Sequence, residues 1–245
     1  MTDLTWPIIG VSLGVGLVLL LALWPSPDRA TRLLKRWGVP DPDEVERAEA
    51  LRYLKRRRLA YPWLYVASSL VLGQVLGDSG WTAVLVSLIV GAVLAELIAQ
   101  RPPRGPVRVA PLTSPGVTDL VPRWALGLWG VLAVVAIGAP SVLPPADPAS
   151  SLATPAVAAG LAVAAVAAGM VVVGLAVRRP PARIDRADAA LRLRSARVGA
   201  GLSMAALGLV GGSRGSVVGI ALVLLGLLGW MWVTARIPAA APSDA

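Results

Sequence analysis

Apolar residues gather into seven runs along the chain, and most runs have about the length that a helix needs to cross a bilayer. An α-helix rises about 1.5 Å per residue, so about 20 apolar residues span a hydrocarbon core roughly 30 Å thick. The pattern predicts an all-α fold, a polytopic transmembrane helical bundle of about seven spans in a single membrane domain, residues 1–245. The predicted spans are residues 7–24, 59–77, 81–99, 124–142, 155–177, 198–212 and 216–233.

The sixth run, 198–212, is the shortest and lies between Arg197 and Arg214. It crosses the bilayer if the membrane thins locally or if Arg197 extends its guanidinium group to the surface. Alternatively, it forms a re-entrant hairpin with the seventh run. Five or six spans therefore stay open beside seven.

Charge gives the bundle an orientation. The chain carries 23 Lys and Arg against 14 Asp and Glu. With seven spans, every basic residue except Arg214 falls in loops on one side of the membrane. The positive-inside rule then predicts an N-terminus outside and a C-terminus in the cytoplasm. We expect a multi-pass protein of the bacterial cell (inner) membrane.

The longest loop, 25–60, is basic and carries helix signals. Ser26 followed by Pro27 predicts an N-cap, and the apolar face of that first helix predicts a position on the inner membrane surface. A second helix is predicted to start at Asp41 and to continue into the second span. We expect the loop to contact anionic lipid headgroups at the cytoplasmic face, and no nucleic acid, because no aromatic stacking platform accompanies it. The predicted headgroup contacts are Arg29, Arg32, Arg36, Arg56, Arg57 and Arg58.

Two polar residues stand inside the predicted spans as a candidate intramembrane polar site. Glu96 lies near the inner end of the third span, with Arg101 and Arg104 beyond it. A charge in hydrocarbon is costly, so Glu96 is either a proton or cation site or a snorkelling residue paired with those arginines. Gln74 in the second span is a ligand or an interhelical hydrogen-bonding group.

Small residues recur at four-residue spacing in several spans, where they let helix backbones approach closely. Ordinary internal packing explains most of them. The stripe in the fifth span is long enough to predict contact with a membrane protein partner or a second copy in a homo-oligomer. These predicted packing residues are Gly10, Gly14, Gly73, Gly77, Ala156, Gly160, Ala164 and Ala168.

A weak internal repeat relates residues 45–58 to residues 185–198 at an offset of 140. It matches Ala50 with Ala190 and Arg57 with Arg197. In both halves a span, an acidic-then-basic helix and a two-helix hairpin follow in the same order. This order predicts a parallel 3+1+3 arrangement of the kind found among transporters, although duplication also occurs in proteins that transport nothing.

The absence of whole residue types narrows the chemistry. The chain contains no Cys and no His, so it has no disulfide, no thiolate or imidazole metal ligand, no Cys nucleophile and no His base. It also lacks a Gly-rich phosphate loop and an Asp within the predicted spans. We expect no catalytic residue, no metal, no cofactor and no enzyme activity.

Three segments carry a family resemblance: Ala95–Arg101 (AELIAQR), Asp119–Pro122 (DLVP) and Asp188–Arg197 (DAALRLRSAR). With the basic loop, the chain resembles a family of polytopic integral membrane proteins from actinobacteria that has no assigned activity. The resemblance implies topology and source, and it transfers no binding residue.

These observations favour a non-catalytic integral membrane protein that serves as an accessory or interaction subunit of a membrane transport or envelope complex. The alternative is a small-molecule transporter or channel built on the 3+1+3 repeat, with Gln74 and Glu96 near a central path. An enzyme with an unfamiliar site stands behind both.

Overall fold

The chain folds as a set of helices, and no strand occurs in the part that the structure describes. This computed structural model describes residues 5–22, 24–76, 81–100, 115–145, 148, 154–178, 185–214 and 217–235. The helices are α1 (Thr5–Ala22), α2 (Pro27–Arg36), α3 (Glu44–Leu76), α4 (Trp81–Ala99), α5 (Val117–Leu120), α6 (Arg123–Val142), α7 (Pro155–Arg178), α8 (Asp185–Gly212) and α9 (Val217–Ala235). The prediction of an all-α fold is therefore confirmed for these residues.

Three of the described helices, α6, α7 and α9, are long and apolar enough to cross a membrane. Two shorter apolar stretches, Leu13–Ala22 in α1 and Val84–Ala99 in α4, do not reach that length among the described side chains. Length and composition thus indicate a membrane protein.

The capping of α2 and α3 shows how well local sequence signals predict where the helices of the basic loop begin. Ser26 caps α2 as predicted, because its Oγ accepts a hydrogen bond of 3.4 Å from the Arg29 backbone amide. The predicted start of the second helix at Asp41 is wrong, because α3 begins at Glu44. Asp43 Oδ1 accepts from the Glu46 amide at 2.7 Å, and Glu46 accepts from the Asp43 amide at 2.9 Å. This reciprocal pair satisfies two free amides at the helix start.

The apolar face of α2 packs against protein. Ala30, Leu34 and Trp37 are buried in one cluster with residues of α3 and α8, including Tyr53 and Leu191. The predicted position of this face on the membrane surface is therefore wrong. Its amphipathic pattern is satisfied by neighbouring helices, while Arg32 and Arg36 remain exposed and Arg29 is half-buried.

Two tightly packed helix pairs organise the molecule, α3 with α4 and α8 with α9. Helix α1 packs on α3, α7 packs on α8, and α4 contacts α8 between the two pairs. Glycine allows the closest approaches. A Cβ built at Gly91 of α4 would lie 3.0 Å from the Tyr65 backbone of α3, and one built at Gly226 of α9 would lie 2.6 Å from the Met204 carbonyl oxygen of α8.

The largest buried cluster joins α6, α7, α8 and α9. A polar link runs through it, in which Trp129 Nε1 donates to Ser203 Oγ at 2.9 Å and Ser203 Oγ donates to the Ala165 carbonyl at 2.7 Å. The Trp129 indole N–H and the Ser203 hydroxyl therefore both have an acceptor, which avoids the cost of burying an unpaired polar group. The link fixes the register of three helices.

Candidate functional site

Glu96 of α4 lies at the centre of a buried ionic network. Its side chain is 0% exposed, and its two charged partners come from other helices. Arg57 Nε of α3 lies 2.7 Å from Oε2, and Arg194 Nη1 of α8 lies 3.6 Å from the same oxygen. One carboxylate therefore joins α3, α4 and α8.

The second carboxylate oxygen of Glu96 is also fully engaged. Ser195 Oγ donates to Oε1 at 2.6 Å, and the Tyr53 hydroxyl donates to the same oxygen. Arg194 in turn donates to the Tyr53 oxygen, with its guanidinium carbon 5.2 Å from the centre of the Tyr53 ring. We call these five residues the Glu96 cluster.

The charge state of Tyr53 suits its role as a donor. Burial raises the pKa of Tyr53 to about 12, with Arg194 opposing that rise and Glu96 adding to it. The hydroxyl therefore stays protonated at physiological pH and continues to donate to the carboxylate. Two arginines against one carboxylate leave the Glu96 cluster with an excess of positive charge.

This geometry corrects the snorkelling interpretation of Glu96. The side chain is enclosed by protein and paired across helices, so it does not reach for the membrane surface. Arg101 and Arg104, the partners expected from sequence, lie outside the described residues. The side chain of Gln74 also lies outside them, and the helical rise places its backbone roughly 26 Å along α3 from Arg57. The structure does not bring Gln74 to Glu96.

The six predicted headgroup arginines divide into groups with different surroundings. Arg32 and Arg36 of α2 are exposed, and Arg29, Arg56 and Arg58 are half-buried. Arg29 Nη1 donates to the Ala22 and Trp24 carbonyls at 2.8 and 3.1 Å, near the end of α1. Arg57 belongs to the Glu96 cluster, so the structure assigns it an internal partner in place of a headgroup.

The predicted packing residues of α1 lie away from the helix contacts. No atom of the described chain comes within 4 Å of a Cβ built at Gly10 or Gly14. Instead, Gly16 faces α3, where its Cβ would lie 3.3 Å from Val66 and 3.7 Å from the Pro62 carbonyl. The surroundings of Gly73, and Gly77 as a whole, lie outside the described residues.

The small-residue stripe of α7 lies mostly on its exposed side. Ala156, Gly160 and Ala164 are exposed, and Ala168 is half-buried. The buried side of α7 carries different small residues, among them Gly169, whose Cβ would lie 2.6 Å from the Trp129 ring. The four-residue spacing therefore identified the exposed small-residue side of α7. The side of α7 that packs inside the protein carries other small residues.

The polar start of α8 makes further contacts to the basic loop. Arg186 pairs with Glu46 of α3 through two nitrogens, at 3.1 and 3.2 Å. Arg197 Nε donates to the Leu120 carbonyl at 3.2 Å, and its guanidinium carbon lies 6.0 Å from the Trp37 ring centre. These contacts hold α2, α3, α5 and α8 together at the basic end of the molecule.

Tyr53, Arg194 and Ser195 could not be recognised as partners of Glu96 from the sequence pattern. One signal for Tyr53 was available, since Tyr53 and Arg57 are four residues apart and share one helix face. That face also includes the buried residues Ala50 and Leu54, which indicated that it packs against protein. The assignment of Arg194 and Ser195 as partners needed the packing of α8 against α4.

A cavity of about 610 Å³ adjoins the Glu96 cluster. Residues of α1, α2, α3, α4, α8 and α9 line it, including Arg57 and Arg194. Among the described residues, no group of His, Cys, Asp or Glu is placed to hold a metal ion. No family model, curated protein or solved structure matches this chain.

Proposed function

We propose that this chain is a non-catalytic integral membrane protein that serves as an accessory or interaction subunit of a membrane transport or envelope complex. The Glu96 cluster is the observation that carries the proposal. Both carboxylate oxygens of Glu96 are bonded to side chains of two other helices. A carboxylate so fully partnered stabilises helix packing and offers no free group for chemistry.

The proposed membrane placement has seven spans, an N-terminus outside, a C-terminus in the cytoplasm and a parallel 3+1+3 repeat. It is supported by the helices, since the described residues of each apolar run lie in a helix, apart from Trp24 at the end of the first run. The basic segments between runs support the orientation. Ala50 and Ala190, matched by the repeat, share one buried cluster, which favours related packing in the two halves. The proposed location is the inner membrane of an actinobacterium.

The exposed side of α7 is the proposed contact for a partner protein or a second copy. At Gly160, no described atom lies within 4 Å of a built Cβ, so a foreign helix can approach the backbone there. The exposed Arg32 and the half-buried Arg29 are proposed to attract anionic headgroups at the cytoplasmic face. Binding of nucleic acid is not part of the proposal.

A small-molecule transporter or channel is the second candidate function. The observation that favours it is the cavity between the two helix pairs, next to the Glu96 cluster. The backbone of Gln74 lies roughly 26 Å along α3 from Arg57, the partner of Glu96, which argues against a central path shared by Gln74 and Glu96. A substrate flux in vesicles that is abolished by Glu96→Ala, in a variant that still folds, would favour transport over the subunit role.

Purification from the native membrane in mild detergent tests the subunit role. We expect the tagged chain to retain a stoichiometric partner or a second copy, identified by mass spectrometry and by mass in solution. The variant Gly160→Leu should lose it, because a leucine keeps the partner backbone away. Gly138→Leu is the matched control, since Gly138 is an exposed glycine of α6, away from the proposed α7 surface, with no described atom within 4 Å of its built Cβ. A wild-type chain that always emerges alone and monomeric contradicts the proposal.

A further inference from the structure

The 610 Å³ cavity changes from basic to apolar along one direction. Its volume lies within the roughly 300–1,000 Å³ typical of ligand pockets. On α8 the lining residues Arg194, Val198, Leu202 and Leu209 follow one helix face. The helical rise gives about 22 Å from Arg194 to Leu209. This length fits the half-bilayer of about 15 Å that one lipid chain occupies, together with its headgroup region.

The wall that α4 contributes beside α8 has the same polarity. On α4, Leu85, Leu88, Ile89 and Ala92 line the cavity and precede Glu96 along the helix. Both long walls are therefore apolar beyond the Glu96 cluster. The rim includes exposed side chains, with Leu85 41% and Trp230 36% exposed, so the cavity reaches the surface of the bundle.

The basic end gathers four arginines, and no carboxylate occurs among the described residues that line the cavity. They are Arg36, Arg57, Arg58 and Arg194. Glu96 pairs with two of them from behind the wall, which leaves positive charge in excess. Burial, together with the positive charges of Arg29 and Arg57, lowers the pKa of Arg58 to about 10. An anion at this end would relieve that repulsion.

We propose that this cavity binds one anionic phospholipid, with the phosphate against Arg36 and Arg58 and an acyl chain along the apolar walls of α4 and α8. Guanidinium groups donate paired hydrogen bonds to phosphate oxygens, and burial of the chain removes apolar area from water or detergent. A zwitterionic lipid brings a cation to a site that already has excess positive charge. The inference goes beyond the subunit role and needs only the placement in a bilayer.

Lipid titration of the purified full chain, read by native mass spectrometry, tests the site. Phosphatidylglycerol should bind one molecule per chain at least tenfold more tightly than phosphatidylcholine, and inorganic phosphate should bind at least tenfold more weakly than phosphatidylglycerol. The double variant Arg36→Gln with Arg58→Gln should weaken phosphatidylglycerol binding by about tenfold or more. The control Lys35→Gln with Arg47→Gln removes the same charge from exposed positions outside the cavity and should leave the affinity unchanged.

A single-cysteine probe locates the acyl chain without changing any arginine. The chain contains no Cys, so Leu209→Cys in the apolar end gives one maleimide-reactive site. Phosphatidylglycerol should slow its labelling several-fold, whereas phosphatidylcholine should not. Val218→Cys on α9, where the side chain is 45% exposed, is the control that bound lipid should not protect.

Four results would overturn the inference. Equal affinity for the two lipids, or equal protection of the two cysteines, would indicate an ordinary lipid annulus. Tight binding of phosphate alone would indicate an anion site without a chain site. An equal loss of affinity in the control variant would indicate general surface charge. If the arginine double variant does not fold, the cysteine experiment decides, because it keeps all four arginines. The presence or absence of a protein partner affects none of these readings.

Discussion

Replacing Glu96 with alanine lowers the free energy of unfolding by about 3–5 kcal/mol, which is the largest loss we expect from any single side chain. The change leaves Arg57 and Arg194 without their shared counter-charge, and it removes the acceptor of Tyr53 and Ser195. A buried charge without a partner destabilises a protein by several kcal/mol, whereas a surface ion pair stabilises it by about 1 kcal/mol or less. Denaturant unfolding of the purified chain in detergent micelles measures the effect.

The matched control for this prediction is Glu44→Ala. Glu44 is exposed in the first turn of α3, so the same chemical change should cost less than about 1 kcal/mol there. The combined variant Arg57→Ala with Glu96→Ala should lose less than the sum of the two single variants, since the pair shares one interaction. If the losses of unfolding free energy are additive, or if Glu96→Ala is as stable as Glu44→Ala, the interactions assigned to the Glu96 cluster do not form in the protein.

Replacing Gly226 with leucine destabilises the α8–α9 pair by about 1–3 kcal/mol or more, because the two backbones touch at this point. A Cβ at Gly226 lies 2.6 Å from the Met204 carbonyl oxygen and 3.0 Å from Gly208 Cα. A rigid backbone cannot yield to that overlap as a flexible side chain can. The helices must separate, and they lose the contact that holds them. Thermal unfolding of the detergent-solubilised variant measures the loss.

Gly130→Leu provides the comparison for the glycine prediction. Gly130 is an exposed glycine of α6, and no atom of the described residues lies within 4 Å of its built Cβ. A leucine there should be neutral or slightly stabilising, because helix propensity improves. If Gly226→Leu and Gly130→Leu unfold at the same temperature, the close approach of α8 and α9 is absent from the protein in solution.

The helices of this fold could be predicted because their signals are local. Apolar runs of sufficient length define helices wherever backbone groups must be paired internally. Ser26 with Pro27 identified the start of α2 for the same reason. The start of α3 was less certain locally, because Asp41 with Glu44 and Asp43 with Glu46 have the same capping-box spacing. Only the second pair forms the reciprocal bonds.

Tertiary packing could not be predicted, because a pattern does not say what covers a face. The amphipathic face of α2 fits a membrane surface and a protein surface equally well, and in this fold Leu34 and Trp37 pack on α3 and α8. Small residues at four-residue spacing gave Gly10 and Gly14, where no atom of the described part of the chain lies within 4 Å of a built Cβ. The observed contact at Gly208 and Gly226 depends on which helices become neighbours.

The sequence identified Glu96 as the centre of the candidate site, because a charged side chain in hydrocarbon costs free energy. It did not identify the partners of Glu96. Glu96 stood out as a charge inside an apolar run. Arg101 and Arg104 were its nearest cations along the chain, but distance in sequence does not control distance in a bundle. Helices α3 and α8 bring Arg57 and Arg194 to it across long sequence separations.

The proposed seven-span placement underlies both proposals, and single-cysteine labelling in intact cells tests it most directly. The variants Lys35→Cys, Ser213→Cys and Ser243→Cys each introduce one reactive site in a chain without native cysteine. An impermeant maleimide should label Ser213→Cys from outside and should reach the other two only after permeabilisation. If α6, α7 and α9 alone cross the membrane, positions 35 and 213 lie on one side and position 243 on the other. Labelling of Lys35→Cys and Ser213→Cys from the same side would contradict the seven-span account.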